Sequence, residues 1–243
     1  MRLAIFDIDG TLTRSGAVDG ECFVEALRAE VGAFEINRQW YTYDHVTDPG
    51  IMRQVFVERL GRPPTADDVQ RVQHRFVGLL DAAVAQRPDS CTAVPGAVGV
   101  LEALRRHGWQ TAIATGSWRA AALLKLDRAG IDAADVPAAF ADDAPGRHDI
   151  VNTALARAQT HYRSERFTRV VALGDAVWDV RAARQLALPF VGIRYDGDAA
   201  RLRKHGVRHV LTDFTDVDAV LTALHEAAVP EAPDPATAPV SRG

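Results

Sequence analysis

The hydrophobic pattern at the start of the chain predicts a short buried strand. Four apolar residues, Leu3 to Phe6, form a run that is too brief for a helix and too continuous for a half-exposed strand. Asp7 and Asp9 follow this run, and the chain then breaks at Gly10. Because residues two apart on a strand point to the same side, both carboxylates are expected to face one site at the carboxyl end of the strand.

Helical periodicity replaces the strand pattern from residue 14 to residue 93. Apolar residues recur at helical spacing in three segments, which span 21–31, 51–60 and 65–87. Thr65 and Asp68 have the spacing of a capping box at the start of the third segment. We therefore predict an all-helical insertion over residues 14–93.

From residue 94 onward, helical and strand patterns alternate. The strands predicted in this part are the apolar runs 109–114, 138–140, 169–173, 189–193 and 209–211. Helical segments separate them, which is the pattern of an α/β fold with a parallel sheet and helices on both faces. We predict that residues 1–13 and 94–226 form this fold. Residues 227–243 are rich in Pro and Ala without periodicity, and we predict a disordered tail there.

Composition and charge narrow the possible partners. Of the 243 residues, 47% are hydrophobic, which is enough for a substantial core. The 28 basic and 32 acidic residues give a formal net charge of −4, which argues against a nucleic-acid partner. The chain enters its first strand almost at once, which leaves no room for a signal peptide, and no apolar run approaches the ~18 residues of a membrane span. We expect a cytoplasmic monomer or homodimer that binds neither membranes nor nucleic acid.

Polar clusters follow the predicted strands. In chain order they are Asp7 with Asp9, then Thr115, Gly116 and Ser117, then Arg147, and finally Asp175 with Asp179. Because the carboxyl ends of parallel strands meet at one edge of a sheet, these clusters are expected to converge. The site so assembled has carboxylates for a hard cation, hydroxyl and N–H donors for an anion, and a fixed positive charge.

This order of motifs resembles the haloacid dehalogenase-like (HAD) hydrolase superfamily. The motifs that carry the resemblance are DxDGT, a strand ending in Thr, a basic residue and GDxxxD. The helical insertion after the first motif is similar to the type C1 cap of the phosphoglycolate phosphatase and phosphoglucomutase-like members. The resemblance implies a Rossmann-like core with a cap at 14–93. It also implies a Mg²⁺-dependent phosphatase that acts on a small phosphorylated metabolite through an aspartyl-phosphate.

The resemblance also implies a role for each matching residue. Asp7 is expected to be the nucleophile, and Asp9 the general acid and base. Mg²⁺ is expected to bind the Asp7 carboxylate, the backbone carbonyl of Asp9 and Asp175, while Asp179 supports the bound waters or the basic residue. The residues expected to bind the phosphoryl group are Thr115, Gly116, Ser117 and Arg147.

The basic residue departs from the family pattern, which usually carries Lys. Arg147 matches that position best in this sequence. Lys125 lies inside a predicted helix, and Lys204 follows the strand at 189–193, so neither fits better. An arginine fork pairs with phosphate and carboxylate but differs in geometry from an ammonium.

There are three alternatives to the phosphatase function. A sugar-phosphate mutase uses the same motifs but returns the phosphoryl group to its substrate. A non-catalytic phospho-ligand-binding or regulatory module needs no nucleophile, so the intact Asp7 and Asp9 argue against it. A phosphonate-cleaving enzyme needs a lysine in the cap, and residues 14–93 contain none.

Thr47 and Asp48, in an aromatic and polar stretch, either select the substrate or pack between cap and core.

Overall fold

The computed structural model describes residues 1–232, which contain eight strands. They are β1 (Arg2–Phe6), β2 (Thr13–Arg14), β3 (Thr92–Ala93), β4 (Trp109–Ala114), β5 (Ala138–Ala139), β6 (Arg169–Gly174), β7 (Phe190–Ile193) and β8 (His209–Leu211). Six of these strands form one parallel sheet in the order β5-β4-β1-β6-β7-β8, while β2 pairs antiparallel with β3. The predicted α/β fold with a parallel sheet is therefore confirmed.

Helices pack on both faces of this sheet. The helices in the described part of the chain are α1 (Gly16–Val31), α2 (Asp48–Leu60), α3 (Ala66–Gln86), α4 (Ala97–Arg106), α5 (Arg119–Arg128), α6 (Arg147–His161), α7 (Val177–Gln185), α8 (Ala200–Arg203) and α9 (Val217–Glu226). None of them is long and apolar enough to cross a membrane. Leu3 and Ile5 of β1 belong to one hydrophobic cluster, and Ala4 and Phe6 belong to another. Because alternate strand residues face opposite sides, the two clusters lie on the two faces of the sheet.

The register of the sheet aligns the ends of its three central strands. Phe6 of β1 pairs with Ile113 of β4 on one side and with Leu173 of β6 on the other. The Asp7 N–H continues the ladder by donating to the Leu173 carbonyl at 3.0 Å. The residues that follow these strands therefore leave the sheet side by side, at the edge where open α/β sheets bind ligands.

The predicted helical insertion contains α1, α2 and α3. Two short strands, β2 and β3, lie at its ends, and they were not predicted because two-residue strands have no readable period. The Trp118 ring, just before α5, lies 5.9 Å from Phe23 of α1 and 6.2 Å from Phe76 of α3, measured between centroids. These aromatic contacts join the helical segment to the sheet. The boundaries of a separate cap at residues 14 and 93 stay a prediction.

The first residues of the predicted disordered tail pack against the protein. Arg184 of α7 donates to the carbonyls of Pro230 and Glu231 at 3.0 and 2.7 Å, and Pro230 is buried. The predicted start of the tail at residue 227 is therefore too early. Arg184 holds the backbone at residues 230 and 231, and the sequence pattern gives no sign of this contact. Residues 233–243 of the predicted tail lie outside the described residues.

A capping box with an ion-paired aspartate begins α3. Asp68 Oδ2 accepts the Thr65 N–H at 2.8 Å, and the Asp68 N–H donates to Thr65 Oγ1 at 3.2 Å. Arg62 and Arg71 donate to the same carboxylate at 2.6 and 2.5 Å. The hydrogen bond from Arg62, followed by that from Thr65, holds the pKa of Asp68 well below its usual range.

Asp68→Asn is expected to lower the Tm at neutral pH, because the amide loses both ion pairs. The folded state keeps this carboxylate ionised to lower pH than the unfolded state does. The stabilisation is therefore complete above the unfolded pKa of about 4 and is lost as the pH falls below that value. Thermal unfolding of wild type and D68N should show a Tm difference that shrinks on acidification. Asp67→Asn, in the same helical turn, is the control, and a pH-independent difference would contradict the prediction.

Candidate active site

Asp7 lies buried at the end of β1, where Arg147 Nη2 donates to its Oδ1 at 2.8 Å. Burial raises the pKa of Asp7 to about 8, against the opposing effect of the Arg147 charge. The negative charges of Asp179 and Asp9 raise it further. A protonated carboxyl is a poor nucleophile, so attack by Asp7 near neutral pH requires additional positive charge beside it.

Three carboxylates converge at this point. Asp7, Asp175 and Asp179 each place an oxygen within 4.8 Å of the other two. Desolvation, followed by the charges of Asp179 and Asp7, raises the pKa of Asp175 well above its usual range. Gly10 permits the approach, because a Cβ at this residue would lie 2.2 Å from Asp175 Oδ2. Clustered carboxylate oxygens whose ionisation is disfavoured fit a divalent hard cation such as Mg²⁺.

Arg147 is the first residue of α6, and its side chain contacts this cluster of three carboxylates. Its Nε and Nη2 donate to Asp179 Oδ1 at 2.8 and 2.6 Å, in addition to the Nη2 bond to Asp7. Gly116 makes room for the guanidinium, because a Cβ there would meet Arg147 Nη1 at 2.3 Å. The structure thus places the predicted basic residue beside the predicted nucleophile, held by Asp179.

Thr115, Gly116 and Ser117 form the turn that follows β4. Thr115 is buried, and its Oγ1 accepts the Ser117 N–H at 3.2 Å. The Thr115 N–H donates to the Ala139 carbonyl of β5 at 3.1 Å, which anchors the start of the turn to the sheet. The turn therefore lies beside Asp7 with its hydroxyl groups at the carboxyl edge.

Both oxygens of the Asp9 carboxylate accept hydrogen bonds. Ser15 Oγ donates to Oδ1 at 2.6 Å, and Lys125 Nζ donates to Oδ2 at 2.6 Å. Lys125 is completely buried, and its Nζ also donates to Asp19 Oδ1 at 2.6 Å and to Ser117 Oγ at 2.8 Å. Asp9 is therefore held in one orientation by an ammonium and a hydroxyl group.

A cavity of about 290 Å³ connects these groups with the helical insertion. Its inner end is lined by Asp7, Asp9, Thr115, Gly116, Ser117, Arg147 and Asp175. Its outer part is lined by α1, by residues around the start of α2, and by Trp178 and Tyr195. Asp179 does not line this cavity and lies behind Arg147, to which it is bound. The predicted clusters thus converge around one cavity.

A sequence profile described as haloacid dehalogenase-like hydrolase matches residues 1–186. The chain belongs to this hydrolase family. The resemblance inferred from DxDGT and GDxxxD is therefore confirmed. Membership also makes the chain a hydrolase by family.

Individual relatives are consistent with this assignment. A phosphoglycolate phosphatase from Agrobacterium fabrum is 27% identical over 203 residues, which are 79% of this chain and 80% of the relative. A hydrolase structure from Pseudomonas syringae is 25% identical with a TM-score of 0.70, and the match covers 91% of this chain and 98% of that one. CbbY from Rhodobacter sphaeroides, solved with phosphate, is 19% identical with a TM-score of 0.68, over 93% and 99% of the two chains. This last similarity shows a shared fold.

Thr47 and Asp48 of this hydrolase both contact the core and line the cavity. Thr47 caps α2 by accepting the Gly50 N–H at 3.2 Å, and it donates to the Pro145 carbonyl at 3.2 Å. Asp48 Oδ2 accepts the Trp118 N–H at 2.8 Å. Substrate selection and packing are thus compatible roles for these residues, because both residues line the cavity while contacting core loops.

Lys125 was not predicted to belong to the site. Its position inside a helix argued against a role, but that helix face is buried, and Lys125 Nζ donates to three side chains that line the cavity, those of Asp9, Asp19 and Ser117. Ala121 and Ala122, one turn earlier on the same face, are both fully buried. A lysine within an otherwise apolar helix face, in a chain with only one other lysine, is the signal that would have identified it.

Proposed function

We propose that this hydrolase is a Mg²⁺-dependent phosphatase that hydrolyses small phosphate monoesters through an aspartyl-phosphate on Asp7. The observation that carries the proposal is the placement of Asp7 between Arg147, the Thr115 turn and Asp175 at the inner end of the cavity. The Agrobacterium relative is a phosphoglycolate phosphatase, which supports a phosphate ester as the substrate.

In the first step, a carboxylate oxygen of Asp7 attacks phosphorus while the bond from phosphorus to the leaving oxygen breaks. Asp9 gives its proton to that oxygen, so that the product leaves as an alcohol. Arg147 and the donors of the Thr115 turn stabilise the negative charge on the phosphoryl oxygens. Mg²⁺, held by Asp7, the Asp9 carbonyl and Asp175, would supply further positive charge at those oxygens.

In the second step, Asp9 takes a proton from water, and the water oxygen attacks the phosphorus of the aspartyl-phosphate. The bond between phosphorus and the Asp7 oxygen breaks, which releases inorganic phosphate and restores the carboxylate. Asp9 needs one fixed position for both proton transfers, and its hydrogen bonds to Ser15 and Lys125 provide it.

Phosphate release from p-nitrophenyl phosphate, with Mg²⁺ and with EDTA, tests the proposed function. We expect turnover with Mg²⁺, loss of turnover with EDTA, and recovery when Mg²⁺ is restored. A rate with Mg²⁺ no higher than that of an Asp7→Asn variant would contradict the phosphatase and favour a binding module. With glucose 1-phosphate, formation of an isomeric sugar phosphate instead of free phosphate would indicate a mutase.

Arg147→Lys is expected to lower kcat/KM by roughly 10- to 100-fold, the equivalent of losing a charge-assisted hydrogen bond. The ammonium keeps the charge but cannot contact Asp7 and Asp179 with the geometry of the planar guanidinium. Steady-state kinetics measure the change. Arg157→Lys is the matched control, because Arg157 also lies on α6 and pairs with a carboxylate, Asp143, away from the cavity. Equal effects of both substitutions would contradict a role for Arg147 at the site.

A further inference from the structure

In the proposed phosphatase, the leaving group of a bound phosphate ester would extend into the part of the cavity that the helical insertion lines. The phosphoryl group has its donors at the inner end, so the remainder of the substrate extends toward α1 and the start of α2. Two carboxylates, Asp19 of α1 and Asp48 of α2, line this outer part. The leaving group therefore meets acidic side chains from the helical insertion.

Among residues 1–232, Arg147 is the one cationic side chain that lines the cavity, and its guanidinium is bound to Asp7 and Asp179 at the inner end. The exposed Arg14 does not line the cavity, and its guanidinium lies over the Tyr195 ring, 5.1 Å from the centroid. Lys125 lies behind the wall. An ammonium has three N–H donors, and those of Lys125 are directed to Asp9, Asp19 and Ser117. No donor of Lys125 is left for a substrate.

The pKa of Asp48 shows that a further negative charge is unfavourable in this compartment. Burial, followed by the charge of Asp19, raises the pKa of Asp48 to about 8, although Lys125 opposes the shift. A carboxylate or a second phosphate on the substrate would be desolvated in the same space and repelled by the same groups. An uncharged substituent avoids both costs.

The shape and surface of the compartment suit a short hydroxylated chain. Gly16 has open space around it, with no atom within 4 Å of a Cβ built there, and a Cβ at Gly20 would stand 3.8 Å from Trp40. Trp40, Trp178 and Tyr195 line the cavity with aromatic surface, and Asp19 and Asp48 line it with side chains whose oxygens can accept hydrogen bonds. Apolar walls with a few fixed polar acceptors are typical of small-molecule sites.

We propose that the physiological substrate is a phosphate monoester of a small polyhydroxylated alcohol that carries no second acidic group. This inference rests on the phosphatase function proposed above. It separates this chain from a phosphatase for phosphoglycolate, whose leaving group carries a carboxylate. Asp19 and Asp48 accept hydrogen bonds from the substrate hydroxyls and exclude acidic analogues.

Matched pairs of esters that differ in one carboxylate test the proposal. The pairs are 2-hydroxyethyl phosphate with phosphoglycolate, and glycerol 3-phosphate with 3-phosphoglycerate. We expect kcat/KM for the uncharged member of each pair to be at least about tenfold higher, since close like charges in a partly buried site repel strongly. Equal kcat/KM values, or a preference for the acidic members, would overturn the proposal.

Asp48→Asn tests whether the preference originates in the compartment. The amide oxygen can still accept the Trp118 N–H, but the side chain can no longer ionise, so the ratio between uncharged and acidic substrates should fall several-fold when it is measured above pH 8, where wild-type Asp48 carries its charge despite its raised pKa. Asp44→Asn, on the same segment but outside the cavity lining, should leave the ratio unchanged. A D48N ratio equal to that of wild type would overturn the assignment to this residue pair.

The two proposals fail in different ways. If p-nitrophenyl phosphate is hydrolysed with Mg²⁺ but the acidic esters are preferred, the substrate inference is wrong and the phosphatase stands. If wild type hydrolyses neither p-nitrophenyl phosphate nor any of the four matched esters faster than Asp7→Asn does, the phosphatase is refuted and the substrate inference falls with it.

Discussion

Asp7→Asn is expected to reduce phosphate release by about 10⁴-fold or more, because the variant has no oxygen nucleophile for phosphorus. The amide has nearly the same shape as the carboxylate, so the substrate can still bind. Its oxygen can still accept the hydrogen bond from Arg147. The loss should therefore appear in kcat, while KM changes little.

The stability of the same variant separates chemistry from folding. Because burial raises the pKa of Asp7 to about 8, keeping this carboxylate ionised near neutral pH is unfavourable in the metal-free protein. The neutral amide removes that cost, so the Tm of D7N measured in EDTA should equal or exceed the Tm of wild type. Asp7→Glu, which keeps the charge but moves it by one methylene, is the companion variant. Retention of more than about a hundredth of the wild-type kcat by D7N would contradict the nucleophile assignment.

The fold was predictable because its signals are local. The run from Leu3 to Phe6, the alternation after residue 94 and the position of the motifs after strands were sufficient to predict a parallel sheet and a common edge. The start of α1 at Gly16 was not predictable in the same way, since Gly16, Ala17 and Gly20 carry no apolar stripe. The later part of α1 packs against α3, and such tertiary packing stabilises helices that their own sequence favours only weakly.

The residues of the candidate site that follow a strand were predictable from the sequence. Lys125 was not, because its contact with the site depends on which face of a helix it occupies. Asp7, Thr115 and Asp175 come together because three aligned strands end beside one another. The contact between Lys125 and Asp9 depends instead on the phase of α5 and on how closely that helix packs. Sequence separation alone, from residue 9 to residue 125, gives no indication of it. The pairing of Lys125 with Asp19 further depends on where the insertion docks on the core.

Lys125→Met is expected to destabilise the protein by about 3–5 kcal/mol, the usual cost of removing one partner from a buried ion pair. Methionine has nearly the length of lysine, but it leaves Asp9 and Asp19 without their shared ammonium. Burial acts to lower the pKa of Lys125, yet the charges of Asp19 and Asp9 outweigh it and raise that pKa well above its usual range. The ammonium therefore stays charged throughout the working pH range, and we expect K125M to be less stable than wild type at every pH in that range.

The same substitution should lower kcat, because Asp9 loses the donor that fixes one of its oxygens. Urea unfolding and steady-state kinetics of K125M measure the two effects. Lys204→Met is the control, since Lys204 is the other lysine of the chain and is exposed. Adding Asp19→Asn to K125M removes one unpaired carboxylate, so the double variant should regain part of the stability while kcat stays low. Recovery of both quantities together would mean that Lys125 acts on catalysis only through the stability of the fold, which would refute its role in positioning Asp9.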